Sequence, residues 1–157
     1  MSFFLSDAHA TACFGRLLAG ELAARPEPLP VFFFGEMGMG KTTLISGLVK
    51  ILPGGDAAEV SSPSFTVCNI YPTTPKVAHF DLYRQETGVT DESLLDFLDT
   101  ARHVVLVEWA ERMACADLPP VRLACVLSLQ GEGRLAVLTA FGEASMAIAA
   151  NMRSMWQ

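Results

Sequence analysis

Lys41, Thr42 and Thr43 close the stretch GEMGMGKTT, residues 35–43, in which three glycines are separated by Glu36, Met37 and Met39. Gly35, Gly40, Lys41 and Thr42 satisfy G-x-x-x-x-G-K-[ST], the phosphate-loop pattern. Residues without a Cβ let the backbone bend so that successive N–H groups point at phosphate oxygens, and a following helix adds the positive end of its dipole. In that reading Glu36, Met37, Gly38 and Met39 form the arch, and Gly40, Lys41, Thr42 and Thr43 carry it into the helix. Lys41 reaches the β- and γ-phosphates and the Thr42 hydroxyl ligates magnesium. At average glycine usage the pattern arises by chance in only about one chain of this length in a few hundred.

Phosphoryl transfer also needs groups that hold the metal and orient the attacking oxygen. Asp81 follows the apolar run VAHF and Glu108 follows VVLV. If both runs are parallel strands beside the loop strand, the two carboxylates arrive at the same carboxyl edge of one sheet. The turn SSPSFT offers Ser62, Ser64 and Thr66 on a proline-stiffened loop, able to close over a γ-phosphate or simply to cap a turn. Tyr83 and Arg84 read either as a stacking ring with a phosphate-facing cation or as an amphipathic strand end. Trp109 can stack on a base, face a partner or sit half-buried in a core. His79 shares a strand face with Asp81, and a hydrogen-bonded structural role is its simplest reading.

These groups need elements to place them. The spacing of Ala12, Cys13, Leu17, Leu18 and Leu22 predicts a first helix, with Ser6 as its N-cap and Asp7 in its first turn. LPVFFF predicts a buried strand, KTTLISGLVKIL a helix stopped by PGG, TVCNIY and KVAHFDLYR two strands joined like a hairpin, ESLLDFLDTA a short helix and HVVLVEW another buried strand. VRLACVLSL and RLAVLTAF, separated by QGEG, predict an antiparallel pair at one edge, and EASMAIAANMRSMW a closing helix within a tail spanning 143–157. The fold class is therefore α/β: one P-loop NTPase domain over residues 1–157, a mostly parallel central sheet with an antiparallel C-terminal edge, flanked by helices. Met146, Met152, Met155 and Trp156 of the tail fit a core or an interface better than a cofactor site.

Composition narrows the function. With 157 residues, 51% of them hydrophobic, the chain fits one globular domain, and no apolar run approaches the ~20 residues of a membrane span. The first residues lack the basic start of a secretory signal, so a cytoplasmic protein without membrane attachment is expected. Cys13, Cys68, Cys115 and Cys125 form no C-x-x-C pair, which argues against a zinc or redox motif. A formal charge of −6 with 11 scattered basic residues argues against a broad nucleic-acid surface, so any nucleic-acid pathway would be served mainly through protein partners.

Taken in order and at these spacings, GEMGMGKTT, SSPSFT with Tyr71 after it, HFDLYR and VEWAER resemble the TsaE (YjeE) family over roughly residues 6–142. These are small bacterial P-loop ATPases of the pathway that makes threonylcarbamoyladenosine in tRNA. The resemblance implies a cytoplasmic ATPase that uses ATP and Mg2+ and joins the TsaB–TsaD heterodimer, where TsaD transfers the threonylcarbamoyl group. Hydrolysis would reset the complex between turnovers, and tRNA would be held by the partners. It also implies Lys41 and Thr42 for phosphate and magnesium, Asp81 and Glu108 for magnesium or water positioning, Ser64 at the nucleotide, and Trp109 at the nucleotide site or a partner. The family's turn reads S-P-T; here Ser64 keeps the hydroxyl without the methyl. The resemblance offers no counterpart for the tail SMAIAANMRSMWQ. Two other readings share the loop: a small-molecule kinase, which needs an arginine-rich lid that the dispersed arginines do not supply, and a nucleotide-dependent binding switch. The guanine-reading N-K-x-D motif is absent, which favours ATP.

Overall fold

The apolar runs form strands and the 3.6-period segments form helices in a computed structural model that describes residues 1–156. In chain order the elements are β1 (Ser2–Leu5), α1 (Ala8–Ala23), β2 (Val31–Phe34), α2 (Lys41–Ile51), β3 (Cys68–Tyr71), β4 (Val77–Asp81), α3 (Glu92–Thr100), β5 (Val104–Glu108), β6 (Arg122–Gln130), β7 (Gly133–Phe141) and α4 (Glu143–Met155). All seven strands share one sheet in the order β1-β7-β6-β2-β5-β4-β3. Strands β6, β2, β5 and β4 pair in parallel; β7 and β3 run against them, and β1 pairs antiparallel with β7.

The sheet is α/β and mostly parallel, with the expected antiparallel pair β6–β7 on one side. Strand β1 extends that side by one more strand, which the sequence reading did not assign. SFFL does alternate, Phe3 and Leu5 inward and Phe4 half exposed. Four residues with an outward phenylalanine, though, make a weak period-2 signal until β7 is there to pair with. The cap of α1 also moves by one: Asp7, not Ser6, accepts from the N–H of Ala10 at 2.7 Å.

Alternate residues of β2 feed two cores. Val31 and Phe33 face α1, α2 and α4, whereas Phe32 packs with Phe80, Val105, Val107 and Leu94 on the side of α3. Helices α1 and α2 meet where both lack side chains. A Cβ on Gly15 would come within 2.1 Å of the Leu44 carbonyl oxygen, and one on Gly47 within 2.3 Å of that of Ala12. This contact anchors α2, and with it the loop at its N-terminus. The tail closes the same core: Ile148, Ala149 and Met152 are buried, and Trp156 packs edge-on against Phe14 with ring centroids 5.6 Å apart. Met146 and Met155 stay exposed. Gln157, the last residue of the expected tail, lies outside the described residues.

Candidate functional site

Strand order explains where the chemistry collects. β2 lies beside β5 and β5 beside β4, all parallel, so their C-terminal ends share one edge. Glu108 pairs with Phe33 on one side and Asp81 on the other, which sets both carboxylates level with the start of the glycine loop. A cleft of about 450 Å³ opens there. Met37, Gly38, Met39, Gly40, Lys41, Thr42, Thr43, Ser64, Asp81, Glu108 and Trp109, all singled out from the sequence, line it, and so do Ser62, Tyr83 and Arg84. Glu36 contributes its carbonyl rather than its side chain, accepting from Lys41 Nζ at 2.9 Å.

The loop can only take this path with glycine at its start. Gly35 has φ of 130°, and a Cβ there would lie 2.3 Å from the Leu127 carbonyl oxygen. At the other end Gly40 is the N-cap of α2 and offers no side-chain acceptor, so the first-turn N–H groups of the helix are left for another partner. An anion suits that position, because N–H groups and the helix dipole both favour it.

Lys41 is 4% exposed. Its ammonium donates to the carbonyls of Gly35 and Glu36 and lies 4.0 Å from the centre of the Trp109 ring. Burial pushes its pKa below the ordinary lysine value, and the carboxylates of Glu108, Glu111 and Asp81 oppose that shift. Trp109 carries its ring there from a left-handed backbone, φ 58° and ψ 41°. That conformation costs a bulky residue on the order of 1–3 kcal/mol and is concentrated at functional sites.

Each carboxylate is held by hydrogen-bond partners. The Thr42 hydroxyl donates to Glu108, 2.9 Å from Oε1 and 3.1 Å from Oε2, and His79 Nε2 lies 2.9 Å from Oε1. Asp81 accepts from the Ser62 hydroxyl through Oδ2 and from the Tyr83 N–H through Oδ1 at 2.8 Å. Both acids are only 3% exposed. Two buried carboxylates share this edge with one ammonium, that of Lys41, which leaves a place for a further cation. Since Thr42 gives its hydrogen to Glu108, its lone pairs remain free. A hydroxyl beside two carboxylates fits magnesium, which takes few protein ligands and keeps waters and phosphate oxygens. No cluster of three or more His, Cys, Asp or Glu side chains suited to a metal exists among the described residues, so an all-protein metal cage is not on offer.

Sequence reasoning singled out Ser64 and found it in the cleft; it did not assign Ser62 its bond to Asp81, nor connect Tyr71 and His79 to Glu108. It also missed a second cleft of about 290 Å³ across the loop, where Gly38, Met39, Gly40 and Thr43 form one wall and Asp7, Thr11, Glu132 and Arg134 the others. Those residues come from α1 and the β6–β7 turn, far apart in sequence. The only signal was the polar start of α1, which capping explains equally well.

The family model described as Threonylcarbamoyl adenosine biosynthesis protein TsaE matches residues 5–135. The chain belongs to the TsaE family. A tRNA threonylcarbamoyladenosine biosynthesis protein TsaE from Nostoc is 33% identical over 145 residues, covering 88% of this chain and 85% of that protein. The Streptomyces coelicolor TsaE is 36% identical over 52% of this chain, and the Aquifex aeolicus TsaE 38% over 54%. Those two matches span 56% and 59% of the relatives' own lengths, somewhat over half of each. In fold, the crystal structure of YdiB from Bacillus subtilis superposes with a TM-score of 0.78 at 22% identity, covering 98% of this chain and 94% of that one. Membership of the TsaE family ties the chain to threonylcarbamoyladenosine biosynthesis.

Proposed function

We propose that this TsaE-family chain acts as a single P-loop domain that binds ATP with Mg2+ and hydrolyses it as a subunit working with TsaB and TsaD in the cytoplasm. The observation that carries the reading is the convergence of Lys41, Thr42, Asp81 and Glu108 on one cleft at the carboxyl edge of parallel strands. Loop N–H groups receive the β- and γ-phosphate oxygens, and Lys41 exchanges the Gly35 and Glu36 carbonyls for them. Bound magnesium would neutralise charge developing on the phosphates. Thr42 and Glu108 would hold it, the one through free lone pairs and the other as the carboxylate that orients Thr42. Asp81, steadied by Ser62 and the Tyr83 N–H, is the acid left to orient the attacking water. Ser64 approaches the γ-phosphate from the hydroxyl loop, and Trp109 covers the site once Lys41 leaves its ring. The nucleoside, on the side of the loop away from the carboxylates, enters the second cleft between Thr11 and Glu132.

Hydrolysis in this reading resets the TsaB–TsaD complex between turnovers, with tRNA held by the partners. The net charge of −6 supports that division of labour. The test is ATP turnover by the purified chain, alone and with the TsaB–TsaD pair, with Lys41→Ala as control. Lysine-dependent turnover that rises with the pair is expected. Turnover indifferent to the pair, with phosphate passed to a hydroxylated acceptor, would favour the kinase reading. Tight binding of free tRNA by the chain alone at physiological salt would overturn the partner-mediated part.

A further inference from the structure

The innermost polar group of the site is His79, fully buried on β4 between Glu108 and Tyr71. Its Nε2 lies 2.9 Å from Glu108 Oε1 and its Nδ1 3.3 Å from the Tyr71 hydroxyl. The Tyr71 oxygen also lies 3.4 Å from the carbonyl of Ser61, which Asn69 Nδ2 approaches to 3.3 Å. Nε2 faces the Glu108 carboxylate and Nδ1 the Tyr71 hydroxyl, so both ring nitrogens are engaged. The single Tyr71 hydrogen has the Ser61 carbonyl and the imidazole within reach, which places the hydroxyl between the loop backbone and His79. An apolar residue would fill position 79, beside Leu106 on the neighbouring strand, without the cost of burying polar groups. The imidazole instead joins a carboxylate of the cleft to a tyrosine that touches the backbone just before Ser62 and Ser64.

We propose that His79 and Tyr71 are positioning residues. His79 holds the Glu108 carboxylate in the orientation that meets Thr42, and Tyr71 registers the hydroxyl loop at residues 61–64 against that carboxylate, so loop and acid move as one unit. The proposal rests on reading the cleft as a nucleotide-hydrolysing site.

His79→Leu, His79→Gln and Tyr71→Phe test it in the full-length chain with the TsaB–TsaD pair. Three quantities are read: turnover number, ADP affinity from Trp109 fluorescence, and amide exchange over residues 59–67. His79→Leu should lower turnover roughly 10–100-fold while ADP affinity stays within about threefold, the pattern of lost orientation rather than lost binding. His79→Gln, whose amide can donate to Glu108 and accept from Tyr71, should recover most of that loss. Tyr71→Phe should lose roughly fivefold in turnover and exchange faster at Val67, whose N–H is held by the Pro63 carbonyl of this loop. Turnover of His79→Leu near that of the unchanged chain overturns the proposal, as does a glutamine variant no better than leucine or unchanged exchange in Tyr71→Phe. Should the unchanged chain show no Lys41-dependent hydrolysis, the functional reading fails instead. The exchange measurement then decides alone: faster exchange at Val67 in Tyr71→Phe keeps the loop tether, and unchanged exchange removes it.

Discussion

The two halves of the sheet solve different problems. On the β6-β7-β1 side, Phe3, Leu5, Cys125, Leu127, Ala136 and Leu138 are buried and apolar, packed beneath α1 and α4. On the β2-β5-β4 side, and in the helix that β2 feeds, lie the buried ionisable side chains Lys41, His79, Asp81 and Glu108. Burying charge costs several kcal/mol per ion unless each is matched by donors or an opposite charge. The β6-β7-β1 side is thus packed as apolar core beneath the helices, whereas the parallel side buries ionisable groups that a ligand of opposite charge would match. Both halves are strongly apolar in sequence; the difference lies at the edge that meets the glycine loop. There β4 and β5 end in Asp81 and Glu108, whereas β6 carries Cys125 and Val126 level with Phe33 and Phe34.

Substitutions can break or sharpen that contrast. The largest effect is expected from Lys41→Ala, which should weaken nucleotide binding by ~10³-fold, about 4 kcal/mol, because no other cation sits within the loop itself. Its thermal midpoint should stay within about 4 °C, since burial already works against the ammonium. Unchanged nucleotide affinity would erase the distinction between the halves. Next, Leu138→Ala in the apolar half should cost about 3 kcal/mol in denaturant unfolding, with turnover per folded molecule unaltered. A large loss of specific turnover there would show that the packing half also shapes the site. Glu108→Ala should reverse that signature: ATP still bound, hydrolysis down ~10²-fold, about 2.7 kcal/mol in barrier. Retained turnover would remove Glu108 from the mechanism.

The smallest effect concerns alkaline stability. Burial pushes the Cys125 thiol up to about 12 from its ordinary 9.0. The unfolded chain loses this proton first, so the contribution is intact below pH 9 and declines as pH rises toward the folded value. Between pH 9 and pH 10 the loss should be about 1.0 kcal/mol, because the thiol of the unfolded chain is already half ionised at pH 9, and Cys125→Ala should lack that slope. Identical pH profiles for the two would place the thiol in contact with water.

Much of this was legible in the chain because it is local. The glycine loop, the strand before it and the helix after it are contiguous, and backbone sterics with helix polarity dictate their form over a dozen residues. Asp81 and Glu108 could be tied to the loop because apolar runs of that length end at a sheet edge and parallel strands share that edge. Four features escaped because they depend on distant partners. β1 becomes a strand only through pairing with β7, whose partners run from Arg134 opposite Leu5 to Val137 opposite Ser2. The second cleft needs α1 beside the β6–β7 turn. The backbone of Trp109 is left-handed at the very end of a β-rich run, which no local propensity favours. The Tyr71–His79–Glu108 chain requires the order β5-β4-β3, which the separate strands do not specify.

The sequence by itself thus determined that a glycine loop of the phosphate-loop pattern sits between strand and helix, and which two acids accompany it, since residue type and short-range spacing carry that information. Only the tertiary structure decided which carboxylate Thr42 and His79 hold, which hydroxyl holds Asp81, and where Lys41 rests. Those are contacts of a few ångströms between residues as many as 66 positions apart. Strand order and packing set such distances; periodicity does not.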